Sequence, residues 1–270
     1  MILFKKKYKA VFLIIPLILL YRYDLVFFAE STGKSVSEVF LMHLFGGSYH
    51  MEKMDLAVSV LGLVGIVFVT LLFADYIVRD LTENAEYIFC RYINRRGWYL
   101  KKLRDLFLYC NLGIFLCCSF YVINAVYESN KPITTRDIFL ILCTYIMLLL
   151  FTYCSVLCIN LLSLFSDTTI AFVVFYSILI ISSMMTIFIQ GLSNEKIIGV
   201  LHKVNPMSNI FVSWNFNNFH VLWGMGYYVI LSLLVIFVLW KKVKYYEIGI
   251  GLKNRNIKRG KKNGKLCENM

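Results

Sequence analysis

The chain has 270 residues, of which 59% are hydrophobic and 16% are charged, and its formal net charge is +12 at pH 7. A soluble domain is closer to half apolar, so the composition excludes an ordinary soluble enzyme and predicts an integral membrane protein. No hydrophilic block is long enough for a separate soluble domain, and we therefore expect a single all-α transmembrane domain over residues 1–270.

Six apolar runs predict six transmembrane helices, because each is long enough to cross a hydrocarbon core of about 30 Å. The first run follows four lysines, and Pro16 within it predicts a kink. The predicted spans are residues 8–28, 56–74, 106–127, 138–165, 170–189 and 221–240. The segments outside them include a charged loop (75–105), two large outer segments (30–55 and 190–220) and a basic tail (241–270).

The distribution of basic residues predicts the orientation of the chain. Of the 28 Lys and Arg residues, 21 lie in residues 1–9, 75–105 and 241–270, and seven lie elsewhere. Cytoplasmic loops are enriched in Lys and Arg, so both termini and the charged loop are expected in the cytoplasm. This topology, with attraction to anionic inner-leaflet lipid, accounts for the net charge without a nucleic-acid partner.

The two outer segments carry local helix signals. Ser35 and Glu38 form a capping-box pattern that predicts a short helix lying on the outer surface, and Asn205-Pro206 predicts the end of a second helix. All four histidines fall in these segments, but no H-E-x-x-H spacing occurs, so we expect no metal site. The histidines are His43, His50, His202 and His220.

The charged loop predicts a helix of its own. Asp80 is a suitable N-cap with Glu83 three residues later, the apolar positions then recur at helical spacing to about residue 94, and Gly97 fits a helix stop. Acidic residues come first and basic residues last, which complements the helix dipole. Two interpretations follow: a solvated loop that only fixes topology, or a docking element for a cytoplasmic partner.

The predicted spans contain few groups that could do chemistry. The third to sixth spans have no Asp, Glu, Lys, Arg or His, which disfavours proton- or ion-coupled transport. There is no phosphate-binding G-x-x-x-x-G-K-[ST] motif, so we expect no ATP binding in this chain. Acids, bases and metal ligands are not clustered, so we expect no catalytic residues. The polar residues inside spans predict interhelical hydrogen bonds, with a translocation path as the other reading. They are Asn111, Asn124, Asn160, Ser182 and Ser183.

This topology, with its long amphipathic second loop and helical outer segment before the last span, resembles an ABC-2-type transporter permease. The stretch Tyr87-Ile-Phe-Cys-Arg91, with Asn94-Arg-Arg-Gly-Trp98 and Lys101-Lys102, also resembles small permease-like membrane proteins of low-GC Gram-positive bacteria. The resemblance implies that the charged loop is a coupling helix docking a separate ATPase. The implied coupling residues are Asp80, Glu83, Glu86, Tyr87, Phe89, Arg91, Arg95, Arg96 and Trp98.

The same resemblance implies a multi-pass protein of the bacterial cytoplasmic membrane that works as a homodimer or with a second permease subunit. ATP would be bound only by the partner ATPase, with no cofactor in this chain, and the exported cargo would be a peptide or an amphiphile. A second hypothesis is a non-transporting immunity or sensor protein that binds a ligand through residues 30–55 and 190–220. A membrane enzyme is the least favoured, because reactive groups are not clustered.

Overall fold

In a computed structural model, the chain is described over seven ranges, and within them it is helical apart from turns and contains no strand. These ranges are residues 34–45, 64–83, 95–129, 131–190, 200–201, 203–210 and 221–245. The helices are α1 (Val36–Phe45), α2 (Val64–Phe73), α3 (Val78–Glu83), α4 (Arg95–Ser129), α5 (Thr135–Ser163), α6 (Thr168–Gln190), α7 (Pro206–Ile210) and α8 (Val221–Lys244). The predicted first span, residues 8–28, lies outside the described residues, as does most of the basic tail.

Four helices are long and apolar enough to cross a membrane, and they match the third to sixth predicted spans. They are Arg95–Ser129, Thr135–Ser163, Thr168–Met185 and Leu222–Lys244. The all-helical fold is therefore confirmed over the described residues, with four helices that could cross a membrane, and α2 occupies the described part of the predicted second span. The largest difference in bounds is at α4, which begins at Arg95, eleven residues before the predicted start of the span.

Helix α5 is the centre of the bundle. Its most apolar 18-residue stretch is 72% buried, against 22–39% for the other three membrane-crossing helices. A helix that is hydrophobic all round is expected inside a bundle, and α5 packs on α8, α6 and α4. It begins with a capping box, in which Thr134 and Asp137 exchange backbone and side-chain hydrogen bonds.

The faces of α4, α6 and α8 that point away from α5 expose large apolar side chains, as expected where lipid is the solvent. Examples are Leu112, Phe115, Ile181, Phe188, Ile230 and Phe237, each more than half exposed. In the described part of the bundle, α5 therefore fills the interior, and the outer faces are apolar enough to contact lipid.

Helix α1 corrects one prediction. Its capping box is confirmed, since the Ser35 N–H donates to Glu38 Oε2 at 2.9 Å and the Glu38 N–H to Ser35 Oγ at 3.3 Å. Its predicted position on the outer surface is wrong, because α1 packs between α4 and α5 with Val36 and Phe40 fully buried. The sequence Val-Ser-Glu-Val-Phe-Leu-Met-His-Leu-Phe offers no broad polar face for water, so burial is the stable outcome.

The polar residues of the spans largely form the expected interhelical bonds. The Tyr145 hydroxyl donates to Asn111 Oδ1 at 2.5 Å, and Ser182 Oγ hydrogen-bonds Asn205 Oδ1. Asn160 forms two more, described below. Asn124 Nδ2 and Ser183 Oγ are buried with no partner among the described residues.

Candidate functional site

One end of the bundle carries the described part of the predicted coupling loop, and we call it the α3 end. It contains α3, the first turns of α4 and α6, and the last turns of α5 and α8. The opposite end, which contains α1, α7 and the start of α5, is called the α1 end.

Helix α3 and the residue that precedes it are anchored by two apolar side chains. Ile77 and Leu81 lie one turn apart, and both are essentially fully buried. They share one cluster with side chains from three membrane-crossing helices, which are Trp98, Tyr99 and Leu103 of α4, Val156 and Leu157 of α5, and Leu239 and Val243 of α8. Any force on α3 therefore acts directly on the interior of the bundle, which is close-packed and resists compression.

A side chain of α5 lies at the junction between α2 and α3. Residues 74–77 form a turn between the two helices. Asn160, fully buried, accepts from the Ile77 N–H at 2.9 Å through Oδ1 and donates to the Phe73 carbonyl at 3.0 Å through Nδ2. The same Nδ2 also donates to the carbonyl of Val156 at 2.9 Å. The amide thereby pairs the buried Ile77 N–H, which the turn leaves without a backbone acceptor, and gives the Phe73 carbonyl a second donor beside the Tyr76 N–H.

An ion pair joins α3 to α4. Lys102 Nζ lies 2.5 Å from Asp80 Oδ2, and each side chain is about 20% exposed. The same ammonium group lies 4.2 Å from the centroid of the Tyr76 ring, a cation–π contact. Burial, together with the negative charges that Tyr109, Asp105 and Asp80 can carry, raises the pKa of the Tyr76 phenol well above its ordinary value. Tyr76 therefore presents a neutral ring to the Lys102 ammonium group.

The first turns of α4 are fixed to α8. Arg95 Nη1 donates to the Lys244 carbonyl at 3.1 Å, where a cation complements the C-terminal end of the α8 dipole. The Tyr99 hydroxyl donates to the Ile236 carbonyl at 2.8 Å, and its ring packs on Trp240. Beside these contacts, Arg96, Lys101 and Arg104 are exposed and give the α3 end a basic surface.

Four of the predicted coupling residues have described side chains, and they are brought to this one end. Asp80 lies in the ion pair, Arg95 binds the end of α8, Trp98 is buried and Arg96 is exposed. Glu83 is the last residue of α3, and its side chain is not described. Glu86, Tyr87, Phe89 and Arg91 lie outside the described residues.

Two predicted helix boundaries in this region are wrong. Asp80 is not an N-cap but the third residue of α3, because Asn160 binds the Ile77 N–H and the helix begins at Val78, three residues earlier than an N-cap at Asp80 predicts. Gly97 is not a stop but the third residue of α4. A glycine costs a helix interior about 1 kcal/mol, and the buried contacts of Trp98 and Tyr99 with the bundle offset that cost.

An open cleft of about 290 Å³ borders the site between the end of α2 and the first turn of α6. Asp75, Arg79, Thr168 and Thr169 supply its polar lining. Over the part of the chain that is described, no group of three or more His, Cys, Asp or Glu residues could hold a metal ion.

The predicted coupling residues did not include Lys102, Tyr76 or Tyr99, and Asn160 was assigned only a general interhelical role. A local signal for Asn160 does exist, since it is the one amide side chain in the uncharged predicted span, residues 138–165. Comparisons of the chain with protein families, with curated proteins and with solved structures gave no significant match.

Proposed function

We propose that this chain is the membrane permease subunit of an ATP-driven exporter of the ABC-2 type, and that its α3 end docks a separate ATPase. One observation carries the proposal: a short helix with a buried apolar side is wedged against three membrane-crossing helices, beside an exposed basic surface. Such an element can pass a mechanical displacement from a soluble partner into the membrane domain.

The remaining parts of the proposal rest on the sequence and on the resemblance to ABC-2-type permeases. ATP is bound and hydrolysed by the partner, because this chain has no phosphate-binding loop. The chain crosses the bacterial cytoplasmic membrane six times with both termini inside, as a homodimer or with a second permease, and exports a peptide or amphiphile. The ATPase closes on hydrolysable nucleotide, pushes α3, and changes the packing of α4 and α5.

A second candidate is an immunity or sensor protein without transport activity. The observation that favours it is the burial of α1 between α4 and α5, since a ligand held by the segment 30–55 would then act directly on the bundle. In that case the α3 end needs no ATPase.

Co-purification from the native membrane separates the two candidates. The tagged full-length chain is extracted in mild detergent, and bound protein is tested for an ATPase with a phosphate-binding loop and for nucleotide hydrolysis. We expect an ATPase with the natural chain and at least about tenfold less with Arg96→Gln and Lys101→Gln combined, since a few lost polar contacts amount to more than 1.4 kcal/mol.

The matched control is Lys131→Gln with Arg136→Gln, two exposed basic residues at the α1 end. This variant loses the same charge and should retain the ATPase. Absence of any ATPase from the natural chain, or equal loss in both variants, would contradict docking at the α3 end.

A further inference from the structure

We propose that Asn160 is a positioning residue that sets the angle between α2 and α3 and couples α3 to the central helix α5. A movement of α3 is then transmitted to α5 through hydrogen bonds. It is also transmitted to α2 and α4 through the polypeptide chain. That an ATPase moves α3 rests on the proposed function, whereas the link itself rests on the contacts below.

The contacts form an insertion into a helical hydrogen-bond ladder. In an unbroken helix the Ile77 N–H would donate to the Phe73 carbonyl, four residues earlier. Here the Asn160 amide lies between these two groups, accepting from the first at 2.9 Å and donating to the second at 3.0 Å. A side chain inserted in this way is one of the few recognised causes of a sharp helix kink.

The ladder resumes immediately on the far side of the insertion. The Arg79 N–H donates to the Asp75 carbonyl at 2.8 Å, and the Leu81 N–H to the Ile77 carbonyl at 3.4 Å. The Tyr76 N–H closes the turn on the Phe73 carbonyl at 3.1 Å. Helices α2 and α3 are thus one interrupted helix, and Asn160 occupies the interruption.

Because Asn160 belongs to α5, the hydrogen bonds connect the junction of α2 and α3 to that helix. Asn160 lies in the last turn of α5, and its Nδ2 also donates to the Val156 carbonyl in the same helix, which fixes the rotamer. Val156 itself shares the apolar cluster with Ile77 and Leu81. The hydrogen bonds and the packing therefore tie the same segment of α3 to the same turn of α5.

A merely structural role makes a different prediction. A buried amide that only satisfies polar groups in an apolar span would affect the stability of the whole bundle when replaced, without a local change in geometry. A positioning residue changes the angle of α3 in a protein that is otherwise folded. The two cases are distinguished by a distance between α3 and the end of α5.

The measurement is a distance distribution between spin labels on full-length protein in lipid nanodiscs. Ketone-bearing amino acids at Thr82 and Ser166, both exposed, carry the labels and leave the native cysteines in place. Asn160→Leu keeps the approximate volume and removes every hydrogen bond. We expect the distance distribution to shift or broaden in this variant, whether the helix straightens or loosens.

The control is Ser163→Ala, which removes a buried hydroxyl of α5 that donates only within its own helix, to the Ile159 carbonyl at 2.7 Å. Its distance distribution should match that of the natural chain. An unchanged distribution in a folded Asn160→Leu protein would overturn the proposal, as would the same change in both variants.

Asn160→Asp supplies a rescue. A protonated carboxyl has one acceptor and one donor, so it can replace both contacts with α2 and α3, whereas a carboxylate can only accept. We expect the natural distance distribution at low pH in this variant, with wild type and Asn160→Leu measured at the same pH. A distribution that differs from wild type at every pH would contradict the proposal.

Hydrogen exchange on the natural chain covers the case in which the variants do not fold. Ile77 is the last residue of a turn, where amides without a hydrogen bond exchange rapidly. Its bond to Asn160 predicts exchange that is about tenfold or more slower. Rapid exchange at Ile77 would overturn the link. A natural chain that captures no ATPase would refute the proposed function and leave these distance and exchange results intact.

Discussion

Each end of the bundle is held by a different polar side chain of α5, and the two side chains differ in charge. At the α1 end, the Asp137 carboxylate accepts from the N–H and hydroxyl of Ser37, at 3.1 and 2.5 Å, and from the N–H and hydroxyl of Thr134, at 2.9 and 2.6 Å. It thereby caps α5 and holds the start of α1. At the α3 end the corresponding link is the neutral amide of Asn160.

The difference predicts which end is stiff. Hydrogen bonds to an ionised acceptor are roughly twice as strong as neutral ones, and Asp137 receives four of them. A further polar contact reinforces this end, since His43 Nε2 lies 3.1 Å from Glu128 Oε2 across α1 and α4. We infer that α1 is a fixed part of the bundle, whereas the junction of α2 and α3 is the place where the bundle can change shape.

Accessibility gives the largest expected contrast between the ends. In a chain whose eight cysteines are replaced by alanine, Lys131→Cys at the α1 end should react with an impermeant thiol reagent added to intact cells. Ser166→Cys at the α3 end should react only after the cells are permeabilised, because the charged loop is predicted to be cytoplasmic. Labelling of Ser166→Cys in sealed cells would reverse the assignment of the two ends.

Removal of the carboxylate should be the most destabilising single change at the α1 end. Asp137→Leu leaves the buried donors of Ser37 without an acceptor, and we expect a loss of about 3 kcal/mol in the free energy of unfolding. Thermal or detergent-titration unfolding in nanodiscs measures it. Arg136→Gln, at the exposed neighbouring position, should change little, and an equal loss there would show that Asp137 has no special role.

A substitution that disturbs the packing of α2 against α4 should have a smaller effect on the free energy of unfolding. A Cβ at Gly113 of α4 would lie 3.1 Å from both methyl carbons of Val69, whereas a Cβ at Gly226 of α8 would meet nothing within 4 Å. Gly113→Ala should therefore cost roughly 1–2 kcal/mol through overpacking, measured by the same unfolding assay. Gly226→Ala should be neutral or stabilising, since alanine is the better helix former, and destabilisation there would contradict the open space.

The smallest effect is expected at the Asp80–Lys102 pair. Partly exposed ion pairs contribute about 1 kcal/mol or less and are screened by salt. Asp80→Asn should lower stability by no more than that, and 0.5 M salt should reduce the difference. The charge exchange Asp80→Lys with Lys102→Asp should recover most of it. A loss as large as that of Asp137→Leu would mean that the two ends are equally rigid.

Sequence reasoning succeeded where the signal is local. Long apolar runs predicted the helices now called α4, α5, α6 and α8, and the Ser35–Glu38 capping box is present. The predicted stop at Asn205-Pro206 is confirmed, because Asn205 ends one helical segment and its Oδ1 accepts from the Met207 N–H at 2.9 Å to cap α7. Each of these depends on residues within a few positions of one another.

Sequence reasoning failed where a helix boundary or the burial of a helix depends on residues distant in the sequence. The start of α3 depends on Asn160, 83 residues beyond Ile77, and the burial of α1 depends on contacts with α4 and α5. The continuation of α4 through Gly97 depends on Tyr99 reaching Ile236 of α8. Nothing in the local pattern of polar and apolar residues encodes these pairings, so the candidate site was only partly predictable.

Site-specific photo-cross-linking in the native membrane tests the docking proposal most directly. A photo-reactive amino acid at Arg96 or Lys101 of the α3 end should yield an adduct with an ATPase that carries a phosphate-binding loop, and the same group at Lys131 of the α1 end should yield none. No ATPase adduct from either α3-end position, or an equal yield at Lys131, would contradict the proposal that the α3 end couples this chain to an ATP-driven partner.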